Sequence, residues 1–90
     1  MSARLLVADD DAVARDLLGE VLTHEGYEVR AAADGAEALT ICATNVIDLA
    51  LVDLRMPGLD GLTVLRRIAD LRPDVPVVIL TAHADPGVEK

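Results

Sequence analysis

A chain of 90 residues holds one small domain, and with 52% hydrophobic residues but Tyr27 as its single aromatic, its core is aliphatic. Sixteen acidic residues against eight basic ones leave a net charge of −8, which argues against a grip on nucleic acid phosphates and suits a bound cation or a basic partner. Cys42 alone excludes an internal disulfide, two histidines make a poor zinc set, and no apolar run reaches membrane length or opens the chain as a signal segment, so the expectation is a soluble, cytoplasmic domain.

In chain order, Arg4 to Ala8 reads as a buried strand that ends in Asp9-Asp10-Asp11. Asp11 suits the cap of a helix carrying Val13, Leu17, Leu18, Val21 and Leu22 on one face, with Gly26 just past its end. Tyr27 to Ala31 alternates weakly and suits a sheet edge. Asp34 and Glu37 form a capping box for a helix through about Ala43, with Ala36, Leu39 and Ala43 inward. Asp48 to Asp53 is a central strand, closed by the breaker Pro57-Gly58, where Gly58 and Gly61 relieve backbone strain and Met56 packs under the loop. Asp60 caps a third helix, with Leu62, Leu65, Ile68 and Ala69 toward the sheet. Pro76 to Leu80 is a fourth strand leading into Thr81-Ala82, and Asp85-Pro86 opens a further helix.

This alternation predicts a parallel α/β sheet with right-handed crossovers. Three apolar strands then end in polar residues at one edge: Asp9-Asp10, Asp53 and Thr81. That edge is where open α/β sheets bind ligands. Carboxylates about 4 Å apart repel by roughly 4 kcal/mol at an effective dielectric near 20, so such a cluster holds protons or a cation. Hard oxygen donors favour Mg²⁺, and a carboxylate beside that ion is well placed to receive a phosphoryl group. Thr81 offers a hydroxyl to a phosphoryl oxygen.

The three runs Leu-Val-Ala-Asp-Asp-Asp, Leu-Val-Asp-Leu-Arg-Met-Pro-Gly-Leu-Asp-Gly and Val-Ile-Leu-Thr-Ala, in this order and spacing, resemble the receiver domain of two-component response regulators. The resemblance covers essentially the whole chain. It implies a flavodoxin-like doubly wound parallel sheet of order 2-1-3-4. It implies a transient aspartyl phosphate on Asp53, taken from a histidine kinase or phosphotransfer protein. Mg²⁺ is then held by Asp10, by Asp9 largely through water, by Asp53 and by the backbone carbonyl of Arg55. Thr81 bonds the phosphoryl group and acts as a switch, while Arg55 and His83 tune the lifetime of the phosphorylated form. The domain is in this reading a signalling module rather than an enzyme, with only self-phosphorylation and autodephosphorylation chemistry, and it feeds an output such as transcription through a further domain. It binds neither nucleic acid nor membrane itself.

The family pattern continues with a fourth helix, a fifth strand ending in a lysine, and a fifth helix. None lies within residues 1–90, so in this reading the chain is a receiver domain truncated before them, and Lys90 does not match that lysine. Two other readings stay open. One is a phosphorylation-independent interaction module on a receiver scaffold. The other, a haloacid-dehalogenase-like phosphatase, rests on Asp9-Asp10-Asp11-Ala12-Val13 and makes Asp9 the nucleophile and Asp11 the acid/base. The truncation also predicts that residues 1–90 alone associate, as a homodimer for instance, because the fourth strand becomes an apolar edge.

Overall fold

Seven elements alternate in the computed structural model, which describes residues 2–56 and 58–80. They are β1 (Arg4–Ala8), α1 (Ala12–His24), β2 (Glu28–Ala32), α2 (Gly35–Thr44), β3 (Leu49–Asp53), α3 (Gly61–Leu71) and β4 (Val77–Leu80). All strand pairs are parallel, as the alternation predicts, and their order is β2-β1-β3-β4, as the resemblance implies. β1 sits inside the sheet, which explains why Leu5 to Ala8 are apolar without interruption and buried throughout. The weaker β2 lies at an edge.

Each helix starts at an aspartate whose carboxylate accepts backbone N–H groups. Asp11 takes those of Val13 and Ala14, Asp34 that of Glu37, and Asp60 that of Thr63. Glu37 completes the capping box by accepting the Ala33 N–H at 2.7 Å. Gly26 follows α1 with a φ of 100°, a conformation that favours glycine.

The core lies between the sheet and the α2–α3 pair. Leu6, Ala8, Ala50 and Val52 meet Ala38, Cys42, Val64 and Ile68 there, with Met56 buried under the loop. Helix α1 packs on β1 and β2 from the other side, where a Cβ on Gly19 would lie 3.7 Å from Val29 Cγ1. Cys42 is a buried thiol within this apolar core, and burial pushes its pKa up.

The structure corrects the expected helix faces. On α2 the buried residues are Gly35, Ala38 and Cys42, while Ala36 and Ala43 are exposed and Leu39 is half-buried. On α3 they are Gly61, Val64 and Ile68, with Leu62 and Ala69 exposed and Leu65 half-buried. Both helices carry the same inward stripe, a glycine and then the residues three and seven further on. The cause is close approach at the glycine. A Cβ on Gly35 would lie 2.6 Å from Val64 Cγ2, and one on Gly61 would lie 2.6 Å from the Asp53 carbonyl oxygen. Seating the glycine turns each helix away from the face that hydrophobicity alone selects. The expected single face of α1 also splits: Leu18 and Leu22 are half-buried, while Val13, Leu17 and Val21 are 76%, 61% and 50% exposed.

Among the described residues no helix is long and apolar enough to cross a membrane. The expected helix start at Asp85 falls outside them.

Candidate functional site

At the C-terminal edge of the sheet the chain leaves β1 and β3 side by side, so their final residues meet. Asp9 follows β1 directly and Asp53 is the last residue of β3. Asp9, Asp10 and Asp53 each offer a carboxylate oxygen, and the three oxygens lie within 4.8 Å of one another. Asp53 is 1% exposed and Asp9 7%, whereas Asp10 stands at the solvent side. This is the convergence that the strand pattern predicts.

Four hydrogen bonds hold these residues. Asp9 donates its N–H to the Ala32 carbonyl at 3.1 Å, and its Oδ1 accepts the Asp11 N–H at 2.9 Å. The Arg15 guanidinium donates to the Asp9 carbonyl at 2.9 Å. Asp53 Oδ1 accepts the Arg55 N–H at 3.3 Å, which folds the outgoing loop back over the carboxylate. The start of α3 lies directly against that loop, where Gly61 donates its N–H to the Leu54 carbonyl at 3.0 Å. Gly58 turns the same loop with a φ of 81°. Strain relief therefore explains Gly58, while Gly61 serves close approach to the backbone of Asp53.

Burial pushes the Asp9 carboxyl above its usual range; the Asp11 N–H opposes this, and the charges of Asp53, Asp10 and Asp11 add to it. A pocket that disfavours its own ionised carboxylate gains from a divalent cation. Three hard oxygen donors at this spacing fit Mg²⁺ better than a soft transition metal. Asp9, Asp10 and Asp53 could hold the ion, with the Arg55 carbonyl on the adjoining loop.

Asp11 takes a different part. Its Oδ1 accepts from Val13 at 3.0 Å and Ala14 at 3.4 Å, so the carboxylate is committed to capping α1. It is absent from the converging set, which removes the acid/base that the phosphatase reading requires. Thr81 and His83 lie outside the described residues; β4 runs as far as Leu80, the register partner of Asp53. One contributor was not singled out in the sequence: Arg15, signalled only as a cation one turn beyond an acidic run. Gly61 was singled out for strain relief, but it serves close approach to the backbone of Asp53, a role signalled by its place right after a capping aspartate.

Comparison with known proteins agrees with this geometry. The family model described as "Response regulator receiver domain" matches residues 5–89. The response regulator MprA of Mycobacterium sp. (strain KMS) is 44% identical over 83 residues, covering 92% of this chain and 36% of that protein. The chain thus spans about a third of the length of the curated relatives it matches. Among solved structures, one of the histidine kinase ThkA in complex with the response regulator protein TrrA matches with a TM-score of 0.85 and 39% identity, over 93% of this chain and 72% of that one. A response regulator protein from Burkholderia pseudomallei, with a phosphorylated aspartic acid and a calcium ion, matches with a TM-score of 0.85 and 31% identity, over 96% of this chain and 51% of that one.

Proposed function

The chain belongs to the response regulator receiver domain family, and from that premise we propose that Asp53 is its phosphoacceptor. The observation that carries the proposal is the meeting of Asp9, Asp10 and a nearly inaccessible Asp53 at the ends of adjacent parallel strands. The resemblance to a structure holding a phosphorylated aspartic acid and a calcium ion supports it, as does the one to a kinase complex.

In this reading an Asp53 carboxylate oxygen attacks the phosphorus of a phosphohistidine on a histidine kinase or phosphotransfer protein. An O–P bond forms, the N–P bond breaks, and the histidine nitrogen leaves with the electron pair and takes up a proton. Water later attacks the phosphorus, releasing inorganic phosphate and restoring the carboxylate. Mg²⁺ held by Asp9, Asp10, Asp53 and the Arg55 carbonyl would neutralise charge on the transferring oxygens. Asp9 and Asp10 keep their carboxylates turned to that place, and the fold around Asp53 excludes water from its flanks. Thr81 donates its hydroxyl to the phosphoryl group, and Arg55 and His83 set how readily the attacking water enters. In this reading the domain works in the cytoplasm and passes the signal from the kinase to an output domain, for which transcription control is the reading.

The test is incubation with acetyl phosphate and Mg²⁺, followed by intact-mass measurement. The parent chain gains one phosphoryl group that hydroxylamine removes, and Asp53→Asn gains none. A phosphoryl mass gained by Asp53→Asn, or one that resists hydroxylamine, rejects the assignment. A parent chain that gains none with Mg²⁺ present favours the interaction-module reading instead.

A further inference from the structure

Asp9 is anchored at three points: its N–H on β2, its carboxylate on the Asp11 N–H, and its carbonyl on Arg15. The first two anchors are made by neighbouring backbone. The third comes from a side chain that crosses from the second turn of α1 to the end of β1, six residues back. Arg15 is half-buried there, and in an acidic chain the obvious partner for its guanidinium is one of the nearby carboxylates. It instead donates to a main-chain oxygen, and leaves the Asp9 and Asp10 carboxylates to face Asp53.

We propose that Arg15 is a positioning residue for the cation site, fixing the backbone of Asp9 so that the Asp9 and Asp10 carboxylates stay within one ion's reach of Asp53. The inference rests on the metal reading above and adds a residue that touches neither the ion nor the phosphoryl group. Groups that orient metal ligands from behind typically change metal affinity by about 10–100-fold when lost.

Electrostatics makes the test sharp, because it predicts the opposite sign. Arg15 carries a positive charge close to the cation site, so as a charge alone it repels the ion, and its removal tightens binding. As a positioning residue it holds the ligands in place, and its removal weakens binding. The experiment titrates Mn²⁺ into the full chain and follows the free-ion paramagnetic resonance signal, for the parent, Arg15→Met and Arg15→Lys. Circular dichroism melts check that each is folded. The expected result is about tenfold weaker Mn²⁺ binding in Arg15→Met, with most of the affinity restored in Arg15→Lys, which regains a donor for the carbonyl. Unchanged or tighter binding in a folded Arg15→Met overturns the inference while leaving the metal site intact. A parent chain that does not bind Mn²⁺ overturns the metal reading itself, and this inference with it. Should Arg15→Met fail to fold, Arg15→Leu, which also lacks a donor, replaces it with the same expected sign.

Discussion

The two ends of the sheet treat charge in opposite ways. At the end where the strands begin, acidic groups are met by donors. Asp48 accepts the Arg4 N–H at 2.8 Å, Glu28 lies 3.5 Å from Arg4, and Asp74 lies 3.6 Å from Arg72. Arg72 also donates to the Cys42 and Asn45 carbonyls at 3.2 and 3.3 Å, tying the end of α3 to the end of α2. At the end where the strands finish, two aspartates are buried beside each other and a third stands over them, while Arg15 is spent on a main-chain carbonyl. One end is arranged for stability. The other keeps a destabilising charge cluster, the mark of a place that a ligand completes.

The strongest way to break the contrast is to spoil the geometry of the acidic end without touching a charge. A Cβ on Gly61 would lie 2.6 Å from the Asp53 carbonyl oxygen and 2.7 Å from Leu54 Cα, and neither backbone atom can move aside without shifting β3 or α3. Gly61→Ala should cost about 1–3 kcal/mol in urea unfolding, and should slow phosphorylation of the protein that remains folded. A variant of parental stability would mean that α3 does not seat on Asp53 as described.

Next comes a pair of substitutions with opposite signs. Burial raises the Asp9 pKa, with the Asp11 N–H opposing it and the nearby carboxylates adding to it, so the folded chain holds that proton more tightly than the unfolded one. The favourable contribution of protonated Asp9 is present at low pH and lost as pH rises through the raised value. At neutral pH, without divalent ions, Asp9→Asn should therefore raise the urea midpoint of the chain, since the amide oxygen can still accept from Asp11. Adding Mg²⁺ should reverse the ranking by stabilising the parent more than the variant. At the other end Asp48→Ala should cost about 0.5–1.5 kcal/mol, with no dependence on Mg²⁺. If both substitutions destabilise equally, the two ends are not different in kind.

How much of this was legible in the chain follows from what each signal reports. The alternation of strands and helices and the meeting of Asp9, Asp10 and Asp53 were readable from apolar runs that end in acids, while the strand order came only with the resemblance to receiver domains. Helix starts were readable for the same kind of reason: Asp11, Asp34 and Asp60 stand where a cap must. Helix rotation was not. Periodicity ranks Leu62 and Leu65 above Gly61, yet the backbone of Asp53 leaves no room for a side chain at that position, so the glycine faces inward and Leu62 faces out. Asp34-Gly35 and Asp60-Gly61 carry the same message twice, and a glycine directly after a capping aspartate is the sign that could have corrected both faces. The partner of Arg15 was illegible too, because a main-chain carbonyl leaves no trace in sequence.

The smallest expected effect sharpens the comparison within the acidic end itself. Asp60 stands on the surface at the start of α3, and its Oδ1 accepts the Thr63 N–H at 2.8 Å. That bond and then the Thr63 hydroxyl hold its carboxyl below the usual range against an opposing effect of desolvation, with lesser help from the Leu62 N–H and the charge of Arg66. Its shift thus runs opposite to that of Asp9. Stability from the ionised cap is complete above the unfolded pKa and is lost as pH falls through the lowered folded value. Asparagine caps a helix about as well as aspartate but carries no charge to meet the helix dipole. Urea midpoints of the parent and Asp60→Asn should therefore differ slightly at neutral pH, in favour of the parent, and converge as the solution is acidified. The Asp9→Asn difference follows the reverse sign, with the variant ahead at neutral pH and its lead vanishing in acid. A gap between parent and Asp60→Asn that stays constant across that range would show that the carboxylate charge plays no part in the cap, and that Asp60 holds α3 through its shape alone.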